Sequence, residues 1–368
     1  MRILILHDFF SAKGGAEKVI LTLLKELKAK HDVSLVVGYI NYDLFPELKN
    51  RSDIQTLGSP TDTTGWESLK MIWLFKYHTK FIANYDVCIF SGIYSITASL
   101  KTTTPLSIYY CHTPPRFVYD LKQYYLEQAK LWQIPLLSAL RTVVRVHFEQ
   151  AIQKMDHVLA NSENVQQRLQ KLLFIQSSVL YPPVATEEFQ WIGTSDYYLS
   201  TARLEPYKRV DLIVKAFMQM PDKKLIVSSS GRMLPYLQRL AEQHDNISFT
   251  RWTTEEQLRK LIGSCIATIY IPLNEDFGMS PVESMAAGKP VIAVNEGGIK
   301  ETVIHNVTGI LIPSPPSIAD ITKAVHNFSP ENTHKLKKNC QKRASTFSTE
   351  IFLKKIAQLI AKRKSHPS

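Results

Sequence analysis

Residues 272–291, PLNEDFGMSPVESMAAGKPV, constrain the fold more than any other part of the chain. They follow an apolar, β-branched run at 265–271 that stops at Pro272. A short polar loop holds Glu275, Asp276, Phe277 and Gly278. Ser280-Pro281-Val282-Glu283 then predicts a helix start, with serine at the N-cap, proline at N1 and glutamate at N3. Gly288 followed by Pro290 predicts its stop, and Val291-Ile292-Ala293-Val294 predicts the next buried strand. A strand therefore delivers a loop onto a helix N-terminus, where unpaired N–H groups and the helix dipole favour an anion. Two carboxylates, Glu275 and Glu283, flank that turn. By spacing alone Glu283 is compatible with a plain capping box, and Glu275 with a solvated loop residue.

Apolar strands alternate with amphipathic helices through both halves, which predicts two α/β/α domains with parallel sheets. The chain opens βαβ: strand 2–7, helix 16–29 with Val19, Leu23, Leu24 and Leu27 at helical spacing, and strand 33–37. Gly14-Gly15 stands before the helix, where missing Cβ atoms let a phosphate approach the backbone. The G-x-G-x-x-G pattern is absent and no acid stands at the dinucleotide position, which disfavours a nicotinamide site. A strand at 107–111 runs into His112, and Pro114-Pro115 forbids its continuation. The ring is thus expected at the carboxyl edge of the sheet, where open α/β folds bind ligands, although an isolated histidine is compatible with a structural role. In the second half Arg203 and Lys208 flank a turn between a strand and a helix beginning near Val210. A planar fork and a mobile point charge suit a diphosphate, and they equally suit surface salt bridges. Residues 224–231 read as a strand and a small-residue loop ending at Gly231.

A length of 368 residues predicts two domains, and 45% hydrophobic content supports real cores. No apolar run approaches the roughly 20 residues that span a bilayer, and the N-terminus reads as a strand rather than a leader. The four cysteines show no metal spacing and read as buried thiols in a reducing, cytoplasmic compartment. The net charge of +11 is concentrated at 330–368, where ten Lys and Arg stand against Glu331 and Glu350. Few aromatic residues accompany them, which disfavours nucleic acid. An anionic membrane surface at the inner face of the plasma membrane fits this composition, and so does a solvated basic helix. Residues 66–82 mix aromatics with Lys70, Lys76 and Lys80, compatible with a lipid-interface helix or with one packed on the sheet. Arg141, Arg145 and His147, near Tyr124, Tyr125 and Trp132, offer an acceptor-side surface for an anionic lipid-linked glycan, or a solvated basic face.

The opening stretch resembles the signature of the retaining glycosyltransferases of family 4, which have the GT-B fold. Pro272, Glu275, Phe277, Gly278, Glu283, Ser284, Met285, Ala286, Gly288, Pro290 and Val291 all match it. The resemblance extends over nearly the whole chain. It implies two Rossmann-like domains facing across a cleft: an acceptor-side domain at 1–183, a nucleotide-sugar domain at 184–345, and a helix at 346–368 crossing back. The His-Thr-Pro-Pro-Arg string at 112–116 is similar to a subgroup of O-antigen and exopolysaccharide mannosyltransferases, with Phe117 and Tyr119 where relatives commonly carry Tyr and Trp. This likeness implies GDP-mannose as donor, with UDP-hexoses as the alternative, and a polyprenyl-diphosphate-linked glycan as acceptor. His112, Glu275, Arg203 and Lys208 would be catalytic. Gly14, Gly15, Gly231, Arg251, Trp252, Phe277, Gly278, Met279, Ser280 and Glu283 would join them around the donor, and Arg116 and Asp120 would lie on the acceptor side. Ala202 replaces the usual glycine before Arg203. No metal or other cofactor is expected, because cationic side chains and a helix N-terminus take the place of a metal ion. A GT-B nucleotide-sugar epimerase would use the same phosphate grip without any acceptor.

Overall fold

In the computed structural model, which describes residues 1–61, 64–250 and 253–362, the apolar runs become two all-parallel sheets, one in each of two units. Unit 1 comprises Met1–Tyr181 together with the chain from Leu353 onward, and unit 2 comprises Pro182–Phe352. Unit 1 contains β1 (Arg2–His7), α1 (Gly15–Lys28), β2 (Asp32–Val37), β3 (Ile54–Thr56), α2 (Thr64–Tyr77), β4 (Val87–Ser91) and β5 (Ser107–Cys111). It continues with α3 (Lys122–Gln128), α4 (Ile134–Ile152), β6 (His157–Ala160), α5 (Glu163–Leu173) and β7 (Ser178–Val179). The sheet order is β3-β2-β1-β4-β5-β6-β7. Residues Ile3 to Leu6 of β1 are wholly buried, as a central parallel strand covered on both faces requires. The strand order reverses between β1 and β4, so a crevice opens beyond their carboxyl ends.

Unit 2 contains β8 (Tyr197–Ser200), α6 (Val210–Met218), β9 (Lys224–Val227), α7 (Leu234–Leu240), β10 (Ile247–Phe249), α8 (Glu255–Ser264) and β11 (Thr268–Tyr270). It continues with α9 (Met279–Ala286), β12 (Val291–Val294), α10 (Ile299–Thr302), β13 (Gly309–Ile312), α11 (Ile318–His326) and α12 (Pro330–Ser345). The order β10-β9-β8-β11-β12-β13 reverses between β8 and β11. The last helix, α13 (Thr349–Lys362), begins in unit 2 and ends in unit 1. Its buried residues Phe352, Ile356 and Ile360 recur every four positions, on one face.

The helix after β11 departs from the sequence expectation. Ser280 is not its N-cap: Gly278 is, at φ 90°, and the helix begins at Met279. Glu283 therefore lies two positions further in, buried, and closes no capping box. The glycine is what shifts the start. With a positive φ it turns the chain sharply enough to begin the helix two residues earlier, and a Cβ there would meet Ile299 at 2.7 Å.

Candidate functional site

In unit 2 the two loops at the strand-order reversal carry the residues singled out in sequence. The loop after β8 passes Arg203, tightens into a 3-10 turn at Pro206–Lys208 and enters α6 through Arg209, whose φ is 54°. The loop after β11 carries Glu275. Lys208 Nζ donates to Glu275 Oε2 at 2.6 Å and to the Tyr270 hydroxyl at 3.3 Å. The Lys208 side chain is almost wholly buried, and that burial opposes its charge. The Glu275 carboxylate and the Tyr270 hydroxyl outweigh it, so Lys208 is held above the ordinary lysine pKa and stays an ammonium. An ammonium has three N–H donors, and these two contacts leave one for a ligand. Arg203 is exposed, with its guanidinium 3.4 Å from the Tyr207 hydroxyl.

Backbone and side-chain bonds fix these loops against each other. Leu273 N–H donates to Tyr207 O at 2.7 Å, and Gly298 N–H donates to Glu275 O at 2.8 Å. Glu296 is a hub that sequence reasoning missed. It accepts from Arg209 at 3.0 Å and from the Ser314 hydroxyl at 2.6 Å, and it also accepts the Asn274 N–H. Gly297 and Gly298 are required for space: a Cβ at either would stand 2.4 or 2.1 Å from the carbonyl oxygens of Glu275 or Asp276. Gly231 packs against the Leu204 backbone, where a Cβ would lie 2.6 Å from the carbonyl oxygen. The small-residue loop thus supports the Arg203 turn by close approach. Phe277 is buried with its ring edge-on to Phe347 at 5.3 Å, so its side chain belongs to the core and only its backbone faces the loop. Met279 and Ser280, partly exposed, form the first turn of α9 and present unbonded N–H groups to any anion beside Glu275.

In unit 1 the crevice between β1 and β4 holds a hydrogen-bonded chain. His7 Nδ1 lies 3.1 Å from both the carbonyl and the hydroxyl oxygen of Ser91, and Ser91 Oγ lies 2.8 Å from His112 Nε2. A carbonyl only accepts, so the His7 proton sits on Nδ1. The Ser91 hydroxyl is then free to donate to His112 Nε2, which leaves the His112 proton on Nδ1. Burial pushes His7 down to about 4, against the Ser91 carbonyl bond. Burial, with His7 as the second cause, pushes His112 down to about 3. Both rings are neutral at pH 7. Next to His7, Asp8 accepts backbone N–H bonds from Ile93, Tyr94 and Ser95 at 2.7–2.9 Å. Burial nevertheless outweighs these bonds and pushes it up to about 6. Gly92, at φ 108°, leaves room for the Asp8 carboxylate, which would stand 2.3 Å from a Cβ there. His7, Asp8 and Ser91 carried no sequence signal beyond their strand ends, since the contacts of His7 and Asp8 span more than eighty positions and Ser91 is linked to His112 across 21.

Arg116 and Asp120 pair at 3.2 Å, and Arg168 on α5 joins Asp120 at 3.0 Å and the Thr113 hydroxyl at 3.2 Å. Two arginines thus share one carboxylate, and Arg168 is the member that no motif announced. Arg141 and His147 are not a free basic face. Arg141 donates to the carbonyls of Phe117 and Val118 at 3.0 and 3.1 Å, and His147 lies 3.2 Å from Lys76. Gly14 is the N-cap of α1 and Gly15 its first residue. Gly14 has an ordinary extended φ of −112°, and a Cβ there would meet only the flexible Glu17 side chain, so neither conformation nor fixed neighbours require glycine at this position. Arg251 and Trp252 lie outside the described residues. All four cysteines are free and buried. Among the described residues no three His, Cys, Asp or Glu side chains form a metal-ligand group, and no helix is long and apolar enough to cross a membrane.

The family description "Glycosyltransferase Family 4" matches residues 13–188, and "Glycosyl transferases group 1" matches residues 185–347. The chain is 26% identical to the alpha-1,3/1,6-mannosyltransferase ALG2 of Dictyostelium discoideum, over 98% of each protein. Among solved structures it resembles Anabaena Alr3699/HepE in complex with UDP and glucose, with a TM-score of 0.73 at 18% identity over 98% of this chain and 100% of that one. It also resembles WaaG, a glycosyltransferase involved in lipopolysaccharide biosynthesis, with a TM-score of 0.76 at 13% identity over 97% of this chain and 99% of that one. At such identities the structural likeness speaks to the fold.

Proposed function

Because this chain belongs to glycosyltransferase family 4 and has the GT-B fold, we propose that it moves mannose from GDP-mannose, with retention, onto a lipid-linked glycan in surface-polysaccharide assembly. The observation that carries this reading is the Lys208–Glu275 pair at the strand-order reversal of unit 2, set beside the first turn of α9. Charge develops on the departing diphosphate, and Lys208, Arg203 and the N–H groups near Gly278 and Ser280 stabilise it. Glu275, oriented by Lys208, contacts the sugar. In unit 1, His112 is assigned to substrate through its Nδ1–H. Glu283 takes the ribose hydroxyls. The bond from the anomeric carbon to the diphosphate oxygen breaks, and the acceptor hydroxyl attacks from the same face. Its proton passes to the departing phosphate oxygen. The cations of the site serve in place of a metal ion. The acceptor end of the reaction lies at the cytoplasmic face of the membrane, with the glycan on a polyprenyl diphosphate.

The mannosyl assignment draws on the likeness to ALG2, which is named a mannosyltransferase, and on the His-Thr-Pro-Pro-Arg string. A UDP-hexose donor is the second reading, favoured by the structural neighbour whose complex holds UDP and glucose. Slow donor turnover without acceptor, measured with EDTA across GDP-mannose, UDP-glucose, UDP-galactose, UDP-GlcNAc and GDP-fucose, separates them. Release of GDP from GDP-mannose alone supports the first reading. Release of UDP instead transfers the mechanism to the second. Turnover abolished by EDTA and restored by magnesium overturns the metal-free mechanism.

A further inference from the structure

Between Lys122 and Val143 unit 1 contains α3, a 3-10 turn at Leu131–Gln133 and the first half of α4, and not one side chain of this stretch is buried. A polar linker would explain that, but the sequence is KQYYLEQAKLWQIPLLSALRTV. Leu131 is 87% exposed, Trp132 70% and Leu136 66%. The same helix buries Val144, Phe148, Ala151 and Ile152 in its second half, so α4 is anchored at one end and presents an apolar tip at the other.

A second row lies alongside. Helix α2 packs against α4, with Lys76 3.2 Å from His147 and the site of a Gly65 Cβ 3.7 Å from Leu140. Its inner face buries Met71, Ile72, Leu74 and Phe75, whereas Trp66 (69% exposed) and Trp73 (52%), seven positions apart, share the outer face. Three of the five tryptophans of the chain are therefore exposed, two on α2 and one on the 3-10 turn that leads into α4. Large exposed apolar patches on a folded protein mark interaction surfaces. Charge decides the kind of partner. Residues 64–80 and 122–146 carry seven Lys and Arg against two acids; Arg141 among the cations is turned onto the carbonyls of Phe117 and Val118, and Glu67 among the acids is turned inward onto Thr61. Exposed tryptophan and leucine beside lysine and arginine match the headgroup layer of an anionic bilayer, where indole rings sit at the interface and cations meet lipid phosphates.

We infer that unit 1 docks on anionic lipid through this α2/α4 face, with Leu131, Trp132 and Leu136 entering the interface. The basic tail is then not the main contact. The surface deepens the proposed function, since it would bring the transferase to a lipid-borne acceptor, but it acts without donor or acceptor and is tested without either. Flotation of the full chain with vesicles of phosphatidylcholine, and of phosphatidylcholine with 30% phosphatidylglycerol, measures partitioning directly. The expected result is binding to the anionic vesicles only. L131S/W132S/L136S lowers the partition coefficient at least tenfold, and W66S/W73S lowers it severalfold. Because these side chains are exposed, the variants keep the wild-type thermal midpoint. K362Q/R363Q/K364Q in the tail changes the partition coefficient less than twofold. Wild-type protein that stays unbound with anionic vesicles overturns the inference, and so does a triple variant that binds like wild type. A patch-dependent dimer in sedimentation velocity without vesicle binding also overturns it, assigning the face to a second copy. In each case donor turnover still reports on the transferase reading separately.

Discussion

Lys208 and Glu275 pair at 2.6 Å, and the carboxylate helps to hold the buried Lys208 as an ammonium. Lys208→Met keeps the aliphatic stem and leaves Glu275 without its cation. Turnover should fall at least ~100-fold, the scale of losing one preorganised charge donor, with a stability loss of about 1–3 kcal/mol. Glu275→Gln still accepts from Lys208, so it should lose comparable turnover with a smaller drop in thermal midpoint. Equal turnover in wild type and either variant would remove the role given to the pair. In unit 1, Ser91→Ala cuts the link between His7 and His112. A lost orienting hydrogen bond of about 1 kcal/mol predicts roughly a five- to tenfold lower kcat with donor KM little changed, and Ser91→Thr should recover part of it. A loss confined to KM would show that Ser91 does not position the ring. The same rings give unit 1 an acid limit. His7 titrates near 4 in the folded chain and near 6.5 when unfolded, so its contribution is intact above pH 6.5 and is lost as pH falls toward 4. The loss is on the order of 3 kcal/mol. His112 has the same sign, whereas Asp8, raised to about 6 by burial, adds stability as pH falls through that value. Two histidines outweigh one aspartate, so thermal midpoints should drop from pH 6.5 to 4.5, and His7→Gln should flatten the slope. An unchanged slope in that variant would assign the acid limit to other groups.

At the level of elements, the strands and most helices could be read from sequence because each carries its own period. The β1 run, the α1 stripe and the Ser162 cap of α5, which accepts from Val165 N–H, are local features that need no partner to be recognised. The start of α9 was misread for the converse reason. Ser-Pro-Val-Glu is a good local cap, but Gly278 at φ 90° packs under Ile299, a residue twenty-one positions on, and starts the helix sooner. The site shows the same division. Glu275, Lys208 and His112 stood out because motif and strand end coincided. Glu296, Asp8 and Arg168 did not, because their meaning lies in contacts that only the folded loops create. The loop pair at 274–277 and 296–298 offers a test at this scale. Gly298→Ala puts a methyl group 2.1 Å from Asp276 O, which the backbone must yield to. A shift of that size costs roughly 1–3 kcal/mol in a packed setting, and it moves Glu275. Turnover should therefore fall by more than tenfold, while Ala at Gly193, where a Cβ meets nothing within 4 Å, should leave both turnover and midpoint unchanged. A fully active Gly298→Ala would mean that the loop contact does not set the geometry of Glu275.

Across the whole molecule, both sheets place the cores around parallel strands and every thiol lies inside them. Burial raises Cys88, Cys265 and Cys340 to about 12. A thiol that is neither ionised nor accessible reacts slowly, so the native chain at pH 8 should show under one equivalent of rapid labelling by a disulfide reagent, and all four cysteines should react in denaturant. Fast labelling of the native protein would locate an opening in one of the cores. The path of the chain has a further consequence. Unit 2 is one continuous segment, whereas unit 1 is finished only by the stretch from Leu353 to the end of α13. On a ribosome, which delivers residues in order at about 5–20 per second, the unit that emerges first is the one completed last. The contacts it makes with that stretch must wait while all of unit 2 is synthesised and folds. Loss of the last turns of α13 should accordingly injure the unit at the beginning of the chain, leaving unit 2 to fold on schedule.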